Sequence, residues 1–219
     1  ARFPNDLLSW YAGGQAEFIQ PSFDYVESHL VSQMLRVNYA YDSRYLLTLT
    51  GRRDGYSGFG ADEKYGIFPS VALGWNFANE EFFPWKNMFS ELKLRASFGI
   101  NGNQAVGSYQ SMGRLEEENM LSGSTTMPGY FPSTLGQQTL GWESSRTMNV
   151  GLDFGLLRDR ISGGLNVYKT NTYDLLLNRA ISSVHGITSI VQNIGETKNK
   201  GIEFSHHSRN IVKSDFNWT

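Results

Sequence analysis

From Thr147 to Tyr168 the chain alternates. Met148, Val150, Leu152, Phe154 and Leu156 share one parity, and Thr147, Asn149, Gly151, Asp153 and Gly155 share the other. That is a period of two, the period of a β-strand. After Leu157-Arg158-Asp159 the pattern restarts, with Ile161, Gly163, Leu165 and Val167 opposing Ser162, Gly164, Asn166 and Tyr168. So short a break sets two strands side by side and antiparallel. Each strand is about ten residues or more, longer than the five or six usual in soluble sheets. The length suits the roughly 9 to 11 residues that a tilted strand needs to cross a bilayer.

The same pattern predicts strands over 30–41, 45–53, 67–77, 91–100 and about 195–207, and an eighth strand barely begun after a turn at 208–214. Pro69 predicts a bulge or bend at the start of the third strand, and 78–90 has room for a helical turn. Residues 1–29 carry Pro4, Gly13, Gly14 and Pro21 without a sustained period and read as a long loop. Two further aperiodic regions, 101–139 and 171–193, read the same way. The connections are three residues at Asp42, thirteen at 54–66, intermediate at 78–90, thirty-nine at 101–139, three at Leu157 and over twenty from Asn171. Because neighbouring strands run in opposite directions, the long ones gather at one end, as in outer-membrane barrels with short periplasmic turns and long extracellular loops.

Charge sorts by face. The apolar side offers 27 positions: Leu35, Val37, Tyr39, Tyr41, Tyr45, Leu47, Leu49, Gly51, Val71, Leu73, Trp75, Phe77, Leu92, Leu94, Ala96, Phe98, the five from Met148, the four from Ile161, and Ile202 with Phe204. None is charged, although 18% of the chain is and about five would fall there by chance. An Arg or Lys at the lipid midplane costs roughly 2 to 4 kcal/mol, enough to keep such a face clean. The opposite face holds Arg36, Arg52, Lys93, Arg95, Asp153 and Glu203. A soluble sandwich would also keep charge off its core face. Aromatic placement favours the membrane, since Tyr39, Tyr41, Tyr45, Trp75 and Phe77 gather at the short-turn end, where an interfacial girdle belongs.

The totals exclude some classes. A net charge of -2 with no basic run gives no pull toward nucleic acid. Cysteine is absent from the sequence, so there are no disulfides or thiolate metal sites. No apolar run reaches 18 residues, which rules out a spanning helix and leaves a barrel untouched. Neither a basic start nor an apolar stretch opens the chain, and both ends read as cuts through a longer protein. Ser90-Glu91-Leu92-Lys93 matches S-x-x-K, but on a strand rather than a helix. His206 and His207 are adjacent and point to opposite strand faces, which argues against a shared metal. Glu116-Glu117-Glu118 reads as a solvated loop. No catalytic residue, cofactor or metal site is expected.

Phe82-Phe83-Pro84-Trp85, Leu92-Lys93-Leu94-Arg95-Ala96-Ser97-Phe98-Gly99-Ile100-Asn101-Gly102-Asn103-Gln104, Leu140-Gly141-Trp142-Glu143 and Asn193-Ile194-Gly195-Glu196-Thr197-Lys198-Asn199-Lys200-Gly201-Ile202-Glu203 resemble the late barrel strands of SusC/RagA-type TonB-linked outer-membrane transporters. So do 45–54 and Leu175-Leu176-Leu177. The resemblance implies an all-β antiparallel transmembrane barrel of about 22 strands. These residues would supply about seven complete strands of it, with the plug domain and TonB box elsewhere. It also implies a Gram-negative outer membrane, a SusD-like surface lipoprotein, TonB, and import of oligosaccharides or peptides. The six charged residues would face the lumen. Asn101, Asn103, Gln104, Tyr109, Tyr130, Phe131 and Trp142 would meet substrate from the long loop. Two other readings remain open: a soluble carbohydrate-binding β-sandwich or adhesin module, and a barrel enzyme or passive porin.

Overall fold

The computed structural model describes residues 25–123, 125–212 and 217–218, so the loop expected over 1–29 lies almost wholly outside the described residues. In chain order the strands are β1 (Leu30–Tyr41), β2 (Tyr45–Tyr56), β3 (Tyr65–Asn76) and β4 (Phe89–Asn103), followed by a hairpin of β5 (Arg114–Ser122) and β6 (Thr125–Thr134). Then come β7 (Glu143–Leu156), β8 (Ile161–Tyr173), a small hairpin of β9 (Leu176–Ala180) and β10 (Ser189–Asn193), β11 (Glu196–Ser208), and the pair β12 (Ile211–Val212) and β13 (Asn217–Trp218). Seven of them form one antiparallel sheet in the order β1-β2-β3-β4-β7-β8-β11, open at both edges.

Turn chemistry sets the short end. Arg44 N–H donates to Tyr41 O at 3.0 Å across Asp42 and Ser43, both at φ 50°. Positive φ at both central residues is the primed turn whose twist matches that of its strands. Leu157, Arg158 and Asp159 all have positive φ as well. The intermediate connection begins with a 3-10 turn at Phe77–Asn79, in line with the helical turn the sequence allowed there.

Register shows which residues share a face, because directly opposed residues point the same way. One row of the sheet reads Tyr39, Leu47, Leu73, Ala96, Val150, Val167, Ile202, and the next toward the turns reads Tyr41, Tyr45, Trp75, Leu94, Leu152, Leu165, Phe204. None of the 27 apolar-face positions is buried. Leu73, Val150 and Leu165 keep 55%, 53% and 40% of their surface. A soluble sandwich would seal this face against a second sheet; no second sheet covers it among the described residues.

Three expectations are corrected. Pro69 makes no bulge: the β2–β3 register runs unbroken through Gly51 opposite Pro69, and β3 meets β4 only from Ser70 onward. Proline thus sits where the β4 side of its strand is unpaired and its missing N–H costs nothing. The region 101–139 is not one loop, since β4 runs on to Asn103 and β5 and β6 form a hairpin that also carries Glu116, Glu117 and Glu118. The region 171–193 likewise contains the end of β8 and the β9–β10 hairpin. The eighth strand expected after the turn at 208–214 lies mostly outside the described residues, among which β12 pairs with β13.

Candidate functional site

The polar face is built from small residues, and that lets long charged side chains lie along it. Arg95, Gly151, Asn166 and Glu203 occupy one register row over four strands, while Lys93, Asp153, Gly164 and Ser205 occupy the next. Arg95 reaches diagonally to Asp153, donating from Nε to Oδ2 at 2.6 Å and from Nη2 to Oδ1 at 2.8 Å, and Nη2 also donates to Asn166 Oδ1 at 3.0 Å. A bidentate fork of this kind fixes both partners. Gly151 makes the path possible: a Cβ there would stand 2.4 Å from Asn166 Oδ1 and 3.1 Å from Arg95 Nη2. Next to this network is an open recess of about 250 Å³, lined in part by Thr48, Lys93, Arg95, Ser97 and Asn149.

The other charged residues of this face are handled one by one. Arg36 Nε donates to Thr50 Oγ1 at 3.1 Å. Arg52 Nε lies 2.7 Å from Asp54 Oδ2 in a contact too bent for a hydrogen bond, and its guanidinium stands 5.6 Å from the Phe68 ring centre. Among the described residues neither Lys93 nor Glu203 has an ion-pair partner. The face therefore holds paired charge on one diagonal and open charge beside it.

At the loop end the chain folds over this face. Tyr56, on the polar parity of β2, packs with Phe59 and Leu140 into a buried cluster, flanked by Val106, Trp142, Leu176 and Val191. Trp142 lies 5.0 Å from the Phe59 ring and 5.4 Å from Phe68, and its Nε1 donates to Lys64 O at 3.2 Å. Gly60 N–H donates to Leu140 O at 2.8 Å, and a Cβ on Gly60 would strike the Gln138 carbonyl. Asn193 clamps the third segment: it accepts from Gly141 N–H at 2.8 Å and donates to Gly141 O and Asp174 O at 3.0 and 2.9 Å. A second cavity of about 480 Å³ opens nearby, lined in part by Phe59, Lys64, Ser111, Met112 and Gln138.

The candidate substrate residues scatter. Asn101 and Asn103 end β4, and Asn103 Nδ2 donates to Glu143 Oε1 at 3.4 Å. Gln104 follows, with a buried Oε1 that has no partner among the described residues. Tyr109 is half-buried and its hydroxyl accepts from Glu27 N–H at 3.0 Å. Tyr130 and Phe131 stand exposed on β6, opposite Glu117 and Glu116. Trp142 belongs to the loop-end cluster, so its ring is occupied by other rings rather than open for stacking. The Ser90 hydroxyl donates to Asp159 Oδ1, away from Lys93.

Two polar anchors escaped the sequence reading. Asn193 is one. Glu80, in the connection after β3, is the other: its side chain is 6% exposed. Glu80 Oε1 accepts from Trp75 Nε1 and from Tyr45 Oη, both at 2.8 Å, while Arg44 stands 3.5 Å from Oε2. Hydrogen bonds first from Trp75 and then from Tyr45 hold its carboxyl below the usual carboxylate range. A pair of acids, Glu80 and Glu81, among Phe77, Phe82, Phe83 and Trp85 was the available signal.

Strands of bilayer-crossing length, an exposed uncharged face, a polar face behind it, aromatic residues at the short-turn end and folded loops at the other together define a sector of a transmembrane β-barrel. Residues 3–219 match the family model described as TonB dependent receptor-like, beta-barrel. The chain belongs to that family and is part of the barrel of a Gram-negative outer-membrane protein. It is 39% identical over 206 residues to TonB-dependent receptor P3 of Formosa agariphila, covering 94% of this chain and 21% of that protein. It is 40% identical over 195 residues to TonB-dependent receptor SusC of Bacteroides thetaiotaomicron, covering 86% and 19%. The chain thus spans about a fifth of the length of the curated relatives it matches. Among solved structures, the RagAB peptide transporter matches with TM-score 0.78 and 28% identity over 87% of this chain and 21% of that one. The siderophore receptor PirA of Pseudomonas aeruginosa matches with TM-score 0.54 and 17% identity, over 81% and 30%, a likeness of fold. The relatives are named as receptors, not as enzymes.

Proposed function

We propose that this sector belongs to a TonB-driven transporter that imports oligosaccharides or peptides with a SusD-like surface lipoprotein, its plug and TonB box lying in other parts of the protein. The carrying observation is the division of the sheet into an exposed uncharged face and a polar face bearing Arg36, Arg52, Lys93, Arg95, Asp153 and Glu203. In this reading the polar face lines the lumen of a barrel of about 22 strands. Lys93 and Glu203, without partners in the wall, then meet plug side chains or water, because unpaired buried charge is costly. Of the loop-end candidates, Asn101, Asn103, Gln104 and Tyr130 stand where cargo and lid could touch them, whereas Tyr109 and Trp142 hold the loops.

Relatives named SusC and RagAB support both the transport class and the lipoprotein partner, and RagAB's peptide cargo favours neither peptide nor glycan for this chain. The test is uptake of labelled oligosaccharides and peptides by cells carrying the parent protein, with and without TonB and the neighbouring lipoprotein. Accumulation that requires both is expected. Equal uptake without TonB would instead mean a passive pore.

A further inference from the structure

At the loop-side margin of the apolar band, the exposed face turns basic on one set of neighbouring strands. Two successive register rows read Met148, Lys169, Lys200 and Arg146, Asn171, Lys198 across β7, β8 and β11. Arg146, Lys169, Lys198 and Lys200 share the parity of Val150, Leu165 and Ile202, so they stand on the hydrocarbon-suited face, and all four are exposed. Strands lie about 4.8 Å apart and alternate residues about 6.6 Å apart along a strand. Four cations therefore start within about 12 Å of one another.

Their height follows from the strand itself. From Leu156 at the turn to Arg146 is ten residues, about 33 Å of strand. At a tilt of about 40° that gives about 25 Å of height, the full apolar band. Lysine and arginine stems then lie along the apolar surface while their heads reach the headgroup layer.

Three of the four charges there are left open. On this face of the three strands the facing acid is Glu196, which pairs with Lys198 at 3.1 Å; among the described residues Arg146, Lys169 and Lys200 have none. The Arg146 guanidinium lies 4.8 Å from the Tyr173 ring centre, which orients it without neutralising it. At the short-turn end Arg44 is held by Asp42, Glu80 and Glu81 at 2.9, 3.5 and 3.3 Å, and Arg160 Nη2 donates to Asn210 O at 3.0 Å. On β1 to β3 the loop-end part of the same face offers Arg53, stacked 4.3 Å over Tyr65.

We propose that Arg146, Lys169, Lys198 and Lys200 dock the phosphate-bearing headgroups of lipid in the loop-side leaflet. The inference rests on the membrane orientation given above and not on which cargo is carried. Guanidinium and ammonium groups match phosphate oxygens, and the patch continues directly into Val150, Val167 and Ile202, where an acyl chain would lie. A ligand with both a phosphate and a hydrocarbon tail satisfies the two surfaces together.

The test uses the complete transporter, delipidated in detergent, with bisphosphorylated lipid A as probe and native mass spectrometry as readout. Each basic residue near an anionic surface contributes about fivefold in affinity. R146Q/K169Q/K198Q/K200Q should therefore bind at least about tenfold more weakly than wild type, and dephosphorylated lipid A should bind wild type no better than the variant. The conservative K169R/K198R/K200R should bind like wild type, as should R36Q/K93Q, which removes charge from the other face. Heat-modifiable electrophoretic mobility confirms that each barrel is folded. Equal binding by the quadruple variant, full competition by inorganic phosphate, or loss of a protein partner with lipid retained would each overturn the proposal. None of these readouts depends on import, so failure of the transport reading is seen separately.

Discussion

Leu152→Arg against Asn149→Arg is the sharpest perturbation of this wall. Both residues sit on β7, three apart and on opposite parities. Leu152 is flanked in its row by Leu94 and Leu165. It is four residues above Leu156, about 13 Å along the strand and about 10 Å in height at a 40° tilt, close to the middle of a 25 Å band. An Arg there costs roughly 2 to 4 kcal/mol, which shifts the folding equilibrium by roughly thirty- to seven-hundredfold. Asn149 lies between Ser97 and Tyr168 and borders the open recess on the polar face. A longer side chain fits there, and a change within about 0.5 kcal/mol is expected. The assay is urea-dependent folding of the full barrel into lipid vesicles, read by heat-modifiable mobility. Equal tolerance of the two variants, or a larger loss for Asn149→Arg, would refute the assignment of faces.

Further outcomes follow from the polar anchors. A double-mutant cycle on Arg95 and Asp153 should show a coupling of about 0.5 to 1 kcal/mol, modest because both side chains are partly exposed; zero coupling would mean the fork is not formed in the membrane. Gly151→Ala should cost about 1 to 3 kcal/mol by driving a Cβ into Asn166 and Arg95, and Asn166→Ala in the same background should recover part of it in the same vesicle assay. Phe59→Ala should cost about 3 to 5 kcal/mol of loop packing and expose the loop end to protease while barrel mobility stays unchanged. The Glu80 carboxyl is depressed in the folded protein, so its stabilisation is present above the ordinary carboxylate value and lost as pH falls through the lower folded one. Trp75 fluorescence should therefore change on strong acidification in wild type, and that transition should be absent in Glu80→Gln.

Much of the wall was legible from the residues, because alternation is local. A strand that faces hydrocarbon on one side must show period two, and β1 came out at the limits its pattern predicts, Leu30 to Tyr41. The short turns at Asp42 and Leu157 were equally readable, as was the set of charges that shares one face. The β5–β6 hairpin was not: its described side chains from Arg114 to Leu121 are all exposed, so neither side needed to be apolar and no period formed. Trp142 looked like a stacking residue because its type is visible in the sequence and its neighbours are not.

The chain by itself thus determined the positions of the seven wall strands, the two faces and the end at which the long connections gather, since these depend on neighbours two to four residues away. Tertiary structure alone decided that β4 pairs with β7 across the β5–β6 excursion, that Arg95 meets Asp153 58 residues on, and that Asn193 ties down Gly141. It also placed Glu80 beneath Tyr45 and Trp75, and Arg146 beside Lys169, Lys198 and Lys200. Each of these juxtapositions is set by register between distant segments, and a one-residue slip would turn every side chain of a strand to the other face.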